Sequence, residues 1–281
     1  MAESQIGRAM RAALPFAALA ALVAGSTIAP AADLLFSPEP IQASSGWIVT
    51  VKGNLRVGPS YPGSDEFNFI GYPSLSVRRA GTVERFGAPD DGLSFSFLEE
   101  SAFRFGVVGR FVGGRYLQDN RELFGLNKVD WAVEPGVFVE YWPLEFLRAR
   151  AEIRRGFGGH EGFVADLWLD AVQRFGAFTV SVGPRLALGD SEFTRTYFGV
   201  TDAEAALNGQ VTPYRPSGGI TSVGATGAIS YDWSPQWSTT AFVTYKHLVG
   251  DAADSPIVER FGSENQWGFG LTASYSFGYA P

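Results

Sequence analysis

From Val129 to Tyr141 every second residue is apolar or aromatic: Val129, Trp131, Val133, Pro135, Val137, Val139 and Tyr141. Between them sit Asp130, Ala132, Glu134, Gly136, Phe138 and Glu140, followed by Trp142. Side chains two apart share one face of a strand, so the stretch has an apolar face and an acidic face. After Pro143-Leu144-Glu145 the alternation resumes, with Leu147, Ala149, Ala151 and Ile153 opposite Arg148, Arg150, Glu152 and Arg154. Simple pairing through a three-residue turn sets Glu140 near Arg148 and Glu134 near Arg154. Alternation alone also fits a soluble sandwich. The feature that decides is a polar face charged along its whole length, with opposite charges at hand as enclosed ions require. An enclosed charged face backed by an aromatic-rich apolar face is the wall of a membrane β-barrel. The expected fold is all-β, a single antiparallel transmembrane β-barrel of about 12 strands.

The N-terminus reads as an export signal. Arg8 and Arg11 precede the uncharged stretch Ala12–Ala24, and Ala29-Pro30-Ala31 is a small-x-small cleavage site. The run is too short for a spanning helix. Residues 1–31 are therefore expected to be a cleaved signal peptide, 32–45 a periplasmic linker and 46–281 the barrel. An exported chain without a spanning helix that still sits in a membrane must be a barrel. Aromatics at 14% and 34 glycines suit the aromatic girdles and thin wall positions of such barrels. A net charge of −7 without a clear Lys/Arg run argues against nucleic acid as a partner. The absence of cysteine excludes disulfides, thiol chemistry, cysteine metal sites and a lipidated cysteine.

Along the mature chain, strands are expected near 47–57, 67–79, 82–88 (weak), 93–98, 102–113, 129–142, 147–155, 163–174, 178–188, 219–231, 237–248 and 267–277. With both mature termini periplasmic, the connections 58–66, 89–92, 114–128, 156–162, 189–218 and 249–264 are external. Those at 80–81, 99–101, 143–145, 176 and 232–236 are tight periplasmic turns, the usual asymmetry of outer-membrane barrels. Within 189–218, Asp202–Leu207 suits a helical turn. The inward polar faces give a lumen network of Lys52, Arg56, Arg104, Arg110, Asp130, Glu134, Glu140, Arg148, Arg150, Glu152, Arg154, Asp166, Asp170 and Arg185.

The expected external loops carry Tyr61-Pro62-Gly63-Ser64-Asp65, Leu123-Phe124-Gly125-Leu126, Gly158-Gly159-His160-Glu161-Gly162, Tyr197-Phe198-Gly199-Val200 and Asp251-Ala252-Ala253-Asp254-Ser255-Pro256-Ile257-Val258. In this order the chain resembles the MipA/OmpV family from about Gly53 to Phe277. The resemblance implies an outer-membrane barrel of a Gram-negative bacterium, in some members a scaffold between a murein hydrolase and a murein synthase. Adhesion and stress tolerance are implied for others, and a shared enzymatic activity is not. Outer-membrane lipid, lipopolysaccharide and the barrel-assembly machinery are the other implied partners. Members typically end at the aromatic equivalent to Phe277, whereas Gly278-Tyr279-Ala280-Pro281 follow it here and displace the assembly signal.

Chemistry is sparse. His160 and His247 are the only histidines, and a rim histidine beside an acid is a general-base candidate. For His160 in a glycine loop, turn geometry is the simpler reading. Asp190, Glu192, Asp251 and Asp254 match no calcium-loop spacing, so a solvated acidic loop outweighs a cation site. Asp254-Ser255-Pro256 suits an Asp-initiated turn. No catalytic, metal or cofactor site is expected. The lumen charges fit a salt-bridged plug better than an open constriction, with a narrow channel for polar solutes as the alternative.

Overall fold

The computed structural model describes residues 46–81, 85–99, 102–116 and 121–279. The expected signal peptide and linker lie outside the described residues. Twelve strands form one antiparallel sheet curled into a barrel: β1 (Trp47–Pro59), β2 (Phe67–Arg79), β3 (Leu93–Glu99), β4 (Phe103–Val112), β5 (Ala132–Leu144), β6 (Leu147–Arg155), β7 (Phe157–Gly158), β8 (Phe163–Phe175), β9 (Phe178–Gly189), β10 (Gly219–Asp232), β11 (Trp237–Leu248) and β12 (Asn265–Tyr279). The first and last long strands zip together from Trp47↔Tyr279 to Val57↔Phe269. β7 is a two-residue continuation of β6 past Gly156, pairing Phe157 with Val133 on β5.

The period-two pattern explains the wall. On β5, Val133, Val137 and Tyr141 are exposed on the outside, while Ala132, Glu134, Phe138 and Glu140 are buried within. Leu55, Phe69, Phe105, Leu167, Phe269 and Leu271 continue the outer apolar band.

Three expectations need correction. First, the hairpin β5–β6 pairs Glu140 with Arg150 and Gly136 with Arg154, two residues off the simple register, although the expected ion pairs Glu140–Arg148 and Glu134–Arg154 still form. An irregularity between Tyr141 and Leu144 shortens the turn, so Leu144 pairs Leu147. The inward face is unchanged because the offset is even. Second, no strand forms at Arg85–Ala88, the described part of the expected third strand, and the twelfth strand is β7 instead. Third, Asp90 and Asp91 are not in an external loop. The hydrogen-bonded order runs β2-β1-β12-β11-β10-β9-β8-β6-β5-β4-β3. Its two ends are an even number of antiparallel steps apart, so β2 and β3 run the same way. The start of β3 is therefore at the opposite end of the barrel from the end of β2, and between them Phe86, Asp90 and Asp91 lie on the inside.

The long connections all leave from one end of the barrel and fold together. They contain α1 (Ser191–Phe198), α2 (Asp202–Asn208) and α3 (Pro256–Phe261). The expected helical turn is α2, closed by a capping box between Thr201 and Glu204. Tyr61, Leu123, Leu126, Val200, Ala205, Ile257 and Phe261 form one apolar cluster. Val129, Tyr197, Phe198, Leu248, Ala252 and Val258 form a second. The loops thus carry cores of their own and make a folded cap. By the length asymmetry this is the extracellular end.

Candidate functional site

Inside the wall the charges on β4, β5, β6, β8 and β9 meet. Arg148 is fully buried and donates from Nε to Glu140 (2.9 Å), from Nη1 to Asp170 (2.9 Å) and from Nη2 to Asp91 (2.6 Å). Arg150 donates to Glu152 (3.0 Å) and Glu140 (3.2 Å), its guanidinium lying 4.0 Å from the centre of the Phe138 ring. Arg154 holds Glu134 at 3.0 Å and also binds Glu152 and Asp166. Arg104 pairs with Glu140, and Arg110 reaches Glu152, Asp166 and the Asp90 carbonyl. Such a set is stable only because each buried ion has a counterpart within hydrogen-bond reach.

Two of those counterparts come from the inner segment. Asp90 accepts from Arg185 at 2.8 and 3.1 Å and from the Thr226 hydroxyl on β10 at 2.8 Å. Asp91 meets Arg148, whose guanidinium also faces the Phe86 ring. Asp90, Asp91, Phe86 and Thr226 were not among the sequence candidates. One signal for them was available: the wall residues just named include six arginines against the five carboxylates Glu134, Glu140, Glu152, Asp166 and Asp170, leaving a buried cation to be matched.

Of the other candidates, Lys52 and Arg56 face the lumen from β1 but make no ion pair among the described residues. They lie on β1, which β12, β11 and β10 separate from β9 in the hydrogen-bonded order. Asp130 is not in the network. It lies at the rim before β5 begins and pairs with exposed Lys128 at 3.2 Å.

His160 joins barrel and cap. Its Nε2 is 3.0 Å from Glu134 Oε1, and its ring packs edge-on to Phe193 and Tyr197 of α1. The ring lies directly over Gly156, where any Cβ would collide with it. Burial pushes the Tyr197 phenol above its ordinary value, and the nearby Glu134 charge adds to this. His160 is thus enclosed, whereas His247 stays at the rim, 3.7 Å from Glu264.

The loop motifs converge in the cap. Tyr61 is buried, and Gly63 donates its N–H to Gln266 on β12 (3.0 Å). Pro62 lies between them. Gly63 holds a φ of +94° and touches Val258, so the position suits glycine alone. Tyr197 and Phe198 end α1, and Gly199 caps it. After Asp254, Ser255 is the N-cap of α3, ahead of Pro256, and its hydroxyl donates to the Phe198 carbonyl at 2.7 Å. Asp251 accepts from the Ser217 N–H and hydroxyl, both 2.6 Å. Asp190 caps α1. Burial alone would raise its carboxyl, but N–H donors from Phe163, Phe193 and Glu192 outweigh that and hold it below the ordinary value. Among the described residues no group of three acidic or histidine side chains is placed to hold a metal ion.

The family described as MltA-interacting protein MipA matches residues 53–277. The chain belongs to the MipA family. The match runs from β1 to β12 and takes in all five cap motifs. The outer membrane protein Omp26La of Vibrio anguillarum is 37% identical over 87 residues, which is 31% of this chain and 32% of that one. The chain thus spans about a third of that relative's length. Among solved structures, an outer membrane channel from Pseudomonas putida F1 is similar at 10% identity and a TM-score of 0.43, over 89% of this chain and 100% of that one. The outer membrane channel DcaP of Acinetobacter baumannii is similar at 8% identity and a TM-score of 0.35, over 86% and 100%. The MipA chain is an outer-membrane β-barrel.

Proposed function

We propose that the protein is an occluded outer-membrane barrel with a structural or scaffolding role in envelope (murein) maintenance and no catalytic activity of its own. The observation that carries this reading is the seat of Arg148. It is fully enclosed and held by three carboxylates, one of them from a segment folded into the lumen. A conduit needs charges that face water, whereas Arg148 faces Glu140 and Glu152 faces Arg150 and Arg154. The folded cap adds a second closure at the outer mouth. His160, wedged between Glu134 and two aromatic rings, is poorly placed to act as a base on a substrate. The family description points to MltA as the partner class, with murein hydrolases and synthases as the proteins to be gripped. The surfaces open to them are the short turns at the other end, where Phe146 and Trp233 are exposed. Lipopolysaccharide and outer-membrane lipid would surround the apolar band.

Planar-bilayer recording of the refolded mature chain tests occlusion. The wild type is expected to be silent and the Arg150→Ala, Arg154→Ala double variant to show discrete steps. Steps in the wild type would overturn the plug. Retention of purified MltA by the immobilised barrel tests the scaffold separately.

One observation favours the second reading, a narrow channel for small polar solutes. The inner faces of β1, β11 and β12 carry Thr50, Asn54, Thr240, Thr272 and Ser274, with Lys52, Arg56 and Lys246 outside any ion pair among the described residues. A lane along this hydroxyl-lined side would give small wild-type steps with a reversal potential favouring anions.

A further inference from the structure

The buried lumen arginines Arg148, Arg150, Arg154 and Arg185 rest on carboxylates, but one buried arginine in the cap does not. Arg115 is 2% exposed. Its Nη1 donates to the Tyr197 carbonyl (2.8 Å) and its Nη2 to the Asn127 carbonyl (3.2 Å). Its Nε has no hydrogen-bond partner, and among the described residues no carboxylate lies within ion-pair distance. Burial pulls its pKa below the ordinary guanidinium value. Its guanidinium also lies over the Tyr61 ring, 5.9 Å from the centroid, but a buried cation without a carboxylate in direct contact still gains from added negative charge.

Arg115 lines a cavity of about 430 Å³ in the cap. Lys128, Arg195 and Arg215 line the same cavity, all three with exposed side chains. Arg215 makes no ion pair or side-chain hydrogen bond among the described residues. Arg195 is held by the Ser191 carbonyl and hydroxyl through Nε and Nη2, so Nη1 is not used in that contact. Lys128 touches only the exposed Asp130. Glu204 is the one carboxylate in the lining, and its oxygens are committed to the Asn127 N–H (2.7 Å) and to the Thr201 N–H and hydroxyl (2.8 and 2.7 Å). Four cations therefore converge on a space lined by a single carboxylate, so the lining keeps an excess of positive charge.

We infer that this cavity binds a phosphate group, with Arg115 at its floor and Lys128, Arg195 and Arg215 at its rim. Guanidinium forks match the paired oxygens of phosphate, and a site closed over by cap loops strengthens each contact relative to water. The phosphate comes either from a free phosphate ester or from the headgroup of a phosphorylated glycolipid in the outer leaflet. Both offer the same oxygens to the same cations. The cavity lies in the cap, so the inference is independent of whether the lumen conducts.

The test is isothermal titration of the refolded mature chain in neutral detergent with three probes: inorganic phosphate, a phosphorylated glycolipid and the same glycolipid after dephosphorylation. Saturable phosphate binding is expected, weakened about tenfold or more in a Lys128→Ala, Arg195→Ala, Arg215→Ala variant, a loss of about 1.4 kcal/mol. That variant decides the matter, because its exposed side chains can be removed without touching the apolar clusters. Arg115→Lys, which keeps the charge and loses the fork, should also weaken binding, with native gel mobility as the check on folding. Binding of free phosphate alone identifies a soluble ester as the source. Glycolipid binding that disappears on dephosphorylation identifies the headgroup, and either result supports the site. Absence of saturable binding by both phosphate probes, or a triple variant that binds as tightly as the native chain, overturns it.

Discussion

Arg148 shows how strongly a single enclosed charge is committed here. Removing it leaves Glu140, Asp170 and Asp91 facing one another without their shared cation. Arg148→Ala should cost about 3–5 kcal/mol in urea unfolding from lipid vesicles. Asp130→Ala, which breaks only the exposed pair with Lys128, should cost under about 1 kcal/mol. Equal effects would mean that enclosure does not matter. At Gly63 a Cβ would stand 2.7 Å from Val258 Cγ2 in a backbone conformation that side chains avoid. Gly63→Ala is therefore expected to loosen the cap, read as faster protease cleavage in 190–218 while the strands stay protected. Glu204 sets a pH response. Burial alone would raise its pKa, but hydrogen bonds from Asn127 and Thr201 prevail and hold it below the ordinary 4.5. A carboxyl lowered by folding stabilises the fold above its unfolded value, and that stability is lost as pH falls through the folded value. Amide exchange at Asn127 should thus accelerate relative to the barrel strands below about pH 4.5 and show no such change between pH 6 and 8. At this scale the alternation in 129–155 made the inward faces of the hairpin legible, because period two survives any even change of register. It could not place Asp130, since only the backbone shows that β5 starts at Ala132.

The segment Arg85–Gly92 is the element whose role was least visible in the sequence. Pro89-Asp90-Asp91-Gly92 has the composition of a surface turn, and nothing in that composition says on which side of a wall a turn will lie. Long-range charge matching decides it, with Arg185 and Arg148 drawing the two aspartates inward. Asp90→Asn combined with Asp91→Asn removes both charges with little change in volume. Discrete conductance steps, absent from the silent wild type, are expected. Unchanged recordings would mean that the segment is not what fills this side of the lumen. The cap was legible in a different way. Five short motifs stood out as a resemblance, but the meaning of four of them as neighbours in one pair of apolar clusters depends on Tyr61, Leu123 and Leu126, Tyr197 to Val200 and Ala252 to Val258 coming together from distant parts of the chain. No local pattern carries that information. The helix that follows Asp254-Ser255-Pro256 is a local case of the same limit, because the stretch reads as a turn and the Ser255 hydroxyl that caps α3 also donates to the distant Phe198 carbonyl.

Taken as a whole, the molecule is lopsided. The side built from β4, β5, β6, β8 and β9 is held by ion pairs, and the side built from β1, β11 and β12 presents hydroxyls and small residues. The parallel ends of the sheet have a further consequence, for the order of assembly. A barrel made only of successive hairpins can close its wall strand by strand and settle its interior afterwards. Here Phe86, Asp90 and Asp91, on the link from β2 to β3, lie within and meet their arginines. That stretch must be threaded before the wall shuts around it, and the machinery that inserts this protein has to close a container already packed.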